Sequence, residues 1–208
     1  MSKPKIEGYN KVLVVEGYSD LRFYAEFLEY LGKANQVFIE DMQGRSRLET
    51  QLKTLLTKKL LAEKTHIAVI VDADDDGAST ADGLANQLKT ITGRDLTEGA
   101  WSLGEPKLGF FVAPTPGVIG EIEDLVWQAW AADPMNAQAV PCVEQFIACM
   151  AQSSPSTTPQ RIAKRRLGSM LAIRHEDDPR LGPAAQARHI INFDAPEFSR
   201  LRDFLSGF

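Results

Sequence analysis

"HIAVIVDADDDG" (residues 66–77) joins an unbroken apolar run to four aspartates, Asp72, Asp74, Asp75 and Asp76. A run this short and β-branched, with no alternation of polar residues, predicts a strand buried on both faces. "KVLVV" (11–15), "QVFI" (36–39) and "LGFFVA" (108–113) repeat that pattern. Between them apolar residues recur at three and four. Leu21, Tyr24, Phe27, Leu28 and Leu31 mark one helix, capped by Ser19 or Asp20 and stopped by Gly32. Leu48, Leu52, Leu55, Leu56 and Leu60 mark a second; Ala81, Leu84, Leu88 and Ile91 a third, near 79–92. Ile122, Leu125, Val126 and Trp130 mark a fourth, from about 119 to 132. Strand–helix alternation of this kind predicts an α/β fold: a mostly parallel four-stranded sheet with helices on both faces.

From 133 onward the strands stop. Helices are expected at 140–152, 159–174 and 197–206. "SSPSTTP" (153–159) reads as a polar link, with Thr158 capping and Pro159 at the first helical position. "RHEDDPRLGP" (174–183) reads as an exposed loop. The expected organisation is an α/β core over 1–132 and a helical extension over 133–208 packed on it. Trp127 and Trp130 lie at helical spacing and are expected in the core, and His66, His175 and His189 show no ligand spacing.

Composition narrows the function classes. The 208 residues are 44% hydrophobic and 25% charged, ordinary for a protein with a real core, and the net charge of −5 provides no global basic field. Cys142 and Cys149 are seven apart on an expected helix, about 10 Å, too far for an easy disulfide. Without metal-type cysteine spacing, an apolar leader or a long apolar run, the reading is a cytoplasmic protein with no membrane span.

The acids carry the chemistry. In a parallel sheet a ligand lies outside the carboxyl ends of the strands, where Glu16 and Asp72 both fall, each the first acid after its strand. Two carboxylates about 5 Å apart repel by roughly 3 kcal/mol at an effective dielectric near 20. A fold relieves that by protonation, by pairing with Arg or Lys, or by binding a divalent cation. The alternation Asp72-Ala73-Asp74 is expected to aim both carboxylates into one pocket. Hard oxygen ligands with an incomplete shell suit Mg²⁺ or Mn²⁺, which is equipment for phosphoryl transfer. Asp75, Asp76 and Gly77 are expected instead to start the next helix, where acids are favoured. Arg45 and Arg47 follow the second strand and are expected on the same rim, as phosphate ligands or counter-charges. "RIAKRR" (161–166), with Lys164 and Arg165, is a basic segment suited to a nucleic-acid backbone or to a solvated helix face.

"VLVVEGYSD" (12–20) followed by "AVIVDADDDG" (68–77) resembles the Toprim domain. More narrowly the chain is similar to a small family of stand-alone Toprim-like bacterial and archaeal proteins related to the overcoming-lysogenization-defect (OLD) nucleases. "GEIEDLVW" (120–127) and "FDAPEFSRLRDFL" (193–205) would be features of that family. The resemblance implies a Rossmann-like Toprim core. Glu16 would be the general acid or base and a metal ligand, Gly17 the turn after it, and Asp20 an assisting acid. Asp72 and Asp74 would be the metal-binding pair, and Glu121 or Glu123 the further acid of a two-metal site. It also implies Mg²⁺ or Mn²⁺ as cofactor, DNA or RNA as partner, and a separate protein such as an ATPase where none is fused. The leading expectation is a metal-dependent nuclease. The alternative is a non-catalytic metal- and nucleic-acid-binding module acting with a partner in repair or defence. A receiver domain carries paired acids after its first strand, and a haloacid-dehalogenase-type phosphatase has its Asp-x-Asp there; here the first strand ends in Glu16.

Overall fold

The computed structural model describes residues 5–115, 118–153, 159–175, 178–187 and 189–208, with the side chains at 45, 46, 48, 58, 60, 153 and 159–161 outside the description. The expected Thr158 cap therefore lies outside it. Along the chain run β1 (Lys11–Val15), α1 (Tyr18–Tyr30), β2 (Val37–Asp41), α2 (Arg45–Leu55), α3 (Lys58–Glu63), β3 (His66–Asp72) and α4 (Gly77–Thr92). They are followed by β4 (Lys107–Ala113), α5 (Ile122–Ala132), α6 (Ala139–Ser153), α7 (Pro159–Arg174), α8 (Leu181–Gln186) and α9 (Ser199–Ser206).

The strands form one all-parallel sheet in the order β2-β1-β3-β4. The chain steps from β1 outward to β2, then crosses back to place β3 on the other side of β1. The strand order thus reverses between β1 and β3, and a crevice opens there at the carboxyl ends. Val15 is level with Ile70, and Asp72 with Ala113.

Period-two alternation sorts the strand side chains onto two faces. Leu13, Val15, Ala68, Ile70, Phe111 and Ala113 belong to one apolar cluster with residues of α1, α5, α7, α8 and α9. Val12, Val14, Ile67, Val69, Val71, Leu108, Phe110 and Val112 belong to the other, with Leu52, Leu56, Leu84 and Leu88. The fold is therefore Rossmann-like, with helices on both faces of an open sheet. The first cluster continues without a break to Phe193, Phe198, Phe204 and Phe208, so the C-terminal residues share a core with the sheet. Gly109 on β4 makes room for this: a β-carbon there would lie 2.9 Å from Phe204 Cε2.

The free edge of β4 is covered by the segment before it. Gly99 N donates to Phe110 O (2.8 Å), Ser102 N to Leu108 O (2.7 Å) and Val112 N to Glu98 Oε1 (3.0 Å). Covering an edge in this way blocks pairing with another chain.

Two expectations are corrected. Residues 181–183 are not part of an exposed loop: α8 begins at Leu181, and Leu181, Gly182, Ala184 and Ala185 are buried. The one expected helix over 48–60 is two, α2 and α3, because α2 closes at Leu56. Among the described residues no helix is long and apolar enough to cross a membrane.

Candidate functional site

The site begins where β1 and β3 end. Past Val15 the chain places Glu16 beside β3, and Glu16 Oε1 accepts a hydrogen bond from Asp72 N (3.2 Å). The backbone carbonyl of Glu16 accepts from Gly44 N (2.7 Å), which holds the β2–α2 turn against the same rim. Gly17 then opens α1. Its backbone is extended (φ −147°, ψ 173°), a conformation any residue adopts, and a β-carbon would meet only Asp20 Oδ2 at 3.5 Å. The turn expected to need a glycine there does not need one. Asp20, three residues into α1, accepts from Gly17 N (3.0 Å) and secures the helix start.

Asp72 continues the alternation of Ala68 and Ile70 and so faces the side of the sheet occupied by α1 and α5. The alternation stops there. Asp74 has a left-handed backbone (φ 50°) and forms a two-hydrogen-bond bridge with Gly120: Asp74 N to Gly120 O at 2.9 Å, and Gly120 N to Asp74 O at 2.8 Å. This bridge fastens the β4–α5 loop beside the end of β3. Gly120 is itself left-handed (φ 136°), and a β-carbon on it would fall 2.4 Å from Asp124 Oδ2. That oxygen is engaged in accepting from Glu121 N (3.0 Å). Ile122 N, a free donor at the start of α5, donates to Asp72 Oδ1 (3.0 Å).

The result is a cluster of three acids. Ligand oxygens of Asp72, Glu121 and Glu123 all lie within 4.8 Å of one another. Glu121 and Glu123 are only 6% and 8% exposed, while Asp72 keeps part of its surface open to solvent although its carboxyl is enclosed. The sequence leaves open which glutamate faces the site, since residues two apart on a helix diverge. Both do, because Glu121 precedes the helix with extended backbone (φ −128°, ψ 175°) and only Glu123 lies within its first turn.

The electrostatics of this cluster are costly. Burial first, and then the neighbouring carboxylates, push Asp72 well above the ordinary range. Burial lifts Glu123 to about 7, with Lys164 opposing and Glu121 adding to it. Burial lifts Asp20 to about 6, against the hydrogen bond from Gly17 and the field of Lys164. Tyr24, one helical turn from Asp20, is buried next to these acids, and desolvation followed by the field of Asp72 raises its phenol. Lys164 on α7 supplies the counter-charge: its Nζ lies 2.7 Å from Glu121 Oε2 and 4.0 Å from Glu123 Oε1. Burial works against the charged ammonium, yet the close pairing with Glu121 and the surrounding acids leave it above its usual value.

The remaining expected residues are placed as follows. Asp74 is not in the three-acid group, because its left-handed backbone breaks the alternation that would have aimed it there. Its visible contribution is the backbone bridge. Asp76 caps α4, accepting from Ser79 N (3.0 Å), as expected for an acid at a helix start. Arg47 donates to Gln43 Oε1 (2.8 Å) on an exposed turn after β2, and the Arg45 side chain lies outside the description. Arg165 lines a groove between α6 and α7. Lys164, read with the basic segment, is committed to the acids instead. Sequence reading missed the places of Lys164, Tyr24 and Asp124. The i, i+4 pair Asp20–Tyr24 and the acid three residues after Glu121 were visible signals for two of them. Nothing local marks Lys164.

Three hard carboxylates whose ligand oxygens lie within 4.8 Å of one another in a largely enclosed corner fit a divalent ion that prefers oxygen and keeps open positions. The family described as a protein of unknown function (DUF3226) matches residues 10–208, and the chain belongs to it. No curated protein and no solved structure matches the chain.

Proposed function

We propose that this DUF3226 protein binds Mg²⁺ or Mn²⁺ through Asp72, Glu121 and Glu123 and acts on nucleic-acid phosphodiesters as a nuclease in the cytoplasm. The observation that carries the reading is the convergence of those three carboxylates at the strand-order reversal, the place where α/β sheets hold ligands. The Toprim resemblance, resting on Glu16 and the aspartates after β3, supplies the chemistry proposed. A bound divalent ion would stabilise charge on a phosphate and lower the pKa of water. The chain's own residues divide the rest. Asp72, fixed by Ile122 N, presents one oxygen in a set orientation. Glu16, held at the mouth by Asp72 N, is the group proposed to take or return a proton. Asp20 adds its field to that of the three acids, and Tyr24 is buried beside them as a neutral phenol.

The test is cleavage of single- and double-stranded DNA and RNA by the full chain with Mg²⁺ or Mn²⁺, beside Asp72→Ala and Glu16→Ala. Loss of about 100-fold or more in both variants is expected, the scale of removing a proton-transfer or charge-stabilising group. Cleavage unchanged in both would overturn the mechanism. Metal-dependent nucleic-acid binding without turnover would favour a non-catalytic module that works with a partner protein.

A further inference from the structure

Lys164 is the unusual member of this site. It comes from α7, far along the chain from β1 and β3, and it sets an ammonium against the acids that would hold a metal. Its neighbour Arg166 is already paired with Glu144 (2.8 Å), so the basic character of the segment is divided between two different tasks. The Lys164 side chain is 57% exposed, while those of Glu121 and Glu123 are 8% and 11% exposed. The acids are therefore fixed and the lysine is free to leave along its flexible stem.

We propose that Lys164 is a built-in counter-ion that occupies the acid site in the metal-free protein and is displaced from Glu121 when a divalent cation enters. The inference rests on the reading that Asp72, Glu121 and Glu123 bind such a cation. An ammonium 2.7 Å from Glu121 Oε2 engages one carboxylate of a set whose ligand oxygens lie within 4.8 Å of one another, so the ammonium and a divalent ion compete for the same negative charge. The exchange keeps the carboxylates from facing one another unbalanced when the ion is absent. It also makes metal affinity a difference between two cations, so that removing the lysine tightens binding rather than weakening it. A close ion pair between a buried carboxylate and a half-exposed lysine, discounted for that exposure, sets the expected change at about tenfold.

The experiment titrates MnCl₂ into the full chain at fixed pH and ionic strength and reads free Mn²⁺ by electron paramagnetic resonance. Wild type, Lys164→Met, Lys164→Gln and Lys164→Arg are compared, each checked for folding by its thermal transition. Lys164→Met and Lys164→Gln should bind Mn²⁺ about tenfold tighter than wild type, and Lys164→Arg, which keeps a cation in reach of Glu121, should stay within a few-fold of it. Equal or weaker binding by Met and Gln, with wild type binding well, would overturn the exchange while leaving the metal site standing. Binding by Met and Gln but not by wild type would overturn the exchange, because the native lysine would then block the site rather than yield it. Binding by none of the four would remove the metal reading and the exchange with it.

Discussion

At Gly120 a β-carbon would meet the Asp124 carboxylate at 2.4 Å, on a backbone that side chains rarely adopt. Gly120→Ala should destabilise the protein by about 1–3 kcal/mol and shift Glu121 with it. Gly17→Ala, on extended backbone with ordinary space, should change stability by less than about 0.5 kcal/mol. Urea unfolding of the two variants checks the contrast, and equal losses would contradict it. Protonation gives a second prediction at this scale. Glu123 is lifted from 4.5 to about 7 and Asp20 from 3.8 to about 6, both first by burial. The folded chain therefore holds protons that the unfolded chain releases. Stability from these groups is complete below about pH 4 and is lost as pH rises through 6 and 7. The metal-free protein should melt lower at pH 8 than at pH 5, Glu123→Gln should flatten that dependence, and Mn²⁺ should restore the melting temperature at pH 8. Calorimetry with and without chelator measures all three; a pH profile unchanged by Glu123→Gln would contradict the assignment. The sequence exposed Asp72 and Glu16 because each directly follows an apolar run. It misplaced Asp74 because a left-handed residue is invisible to an alternation pattern.

The helices that build the site share one device. In both α1 and α5 an aspartate inside the first turn accepts from the backbone N–H that precedes the helix, Asp20 from Gly17 and Asp124 from Glu121. Burying acids at a helix start is eased there by the helix dipole. The strands and most helices were readable because their apolar periods are long and clean. The start of α8 was not: "LGPAAQ" holds a glycine and a proline, which read as breakers. Gly182 is small for packing instead, since a β-carbon would fall 2.5 Å from Arg22 Cβ on α1. The last helix, α9, is bound to the sheet by aromatic contact. Trp101 stacks on Phe204 at 5.2 Å, and Trp101 Nε1 donates to the Phe204 carbonyl (2.9 Å). Phe204→Ala empties a 2%-exposed position and should cost about 3–5 kcal/mol. Chemical denaturation checks this, and a loss below about 1 kcal/mol would mean that α9 is peripheral to the fold.

Across the whole molecule the site is assembled from four distant segments: the ends of β1 and β3, the start of α5, and the middle of α7. The first two were legible as motifs. The third entered only as a choice between Glu121 and Glu123, and the last, though named as a basic residue, could not be placed, because a lysine on one helix carries no sequence record of the acids it will meet. The apolar cluster that ties Leu167, Met170 and Leu171 of α7 to Leu125 and Val126 of α5 brings Lys164 to its place. The most direct test of the central claim is a crystal structure of the full chain grown with MnCl₂, with the anomalous signal of manganese recorded. The account predicts an ion about 2.1–2.3 Å from carboxylate oxygens of Asp72, Glu121 and Glu123, with Lys164 withdrawn from Glu121. Manganese bound elsewhere, with Lys164 still seated against Glu121 and the three acids metal-free, would contradict it.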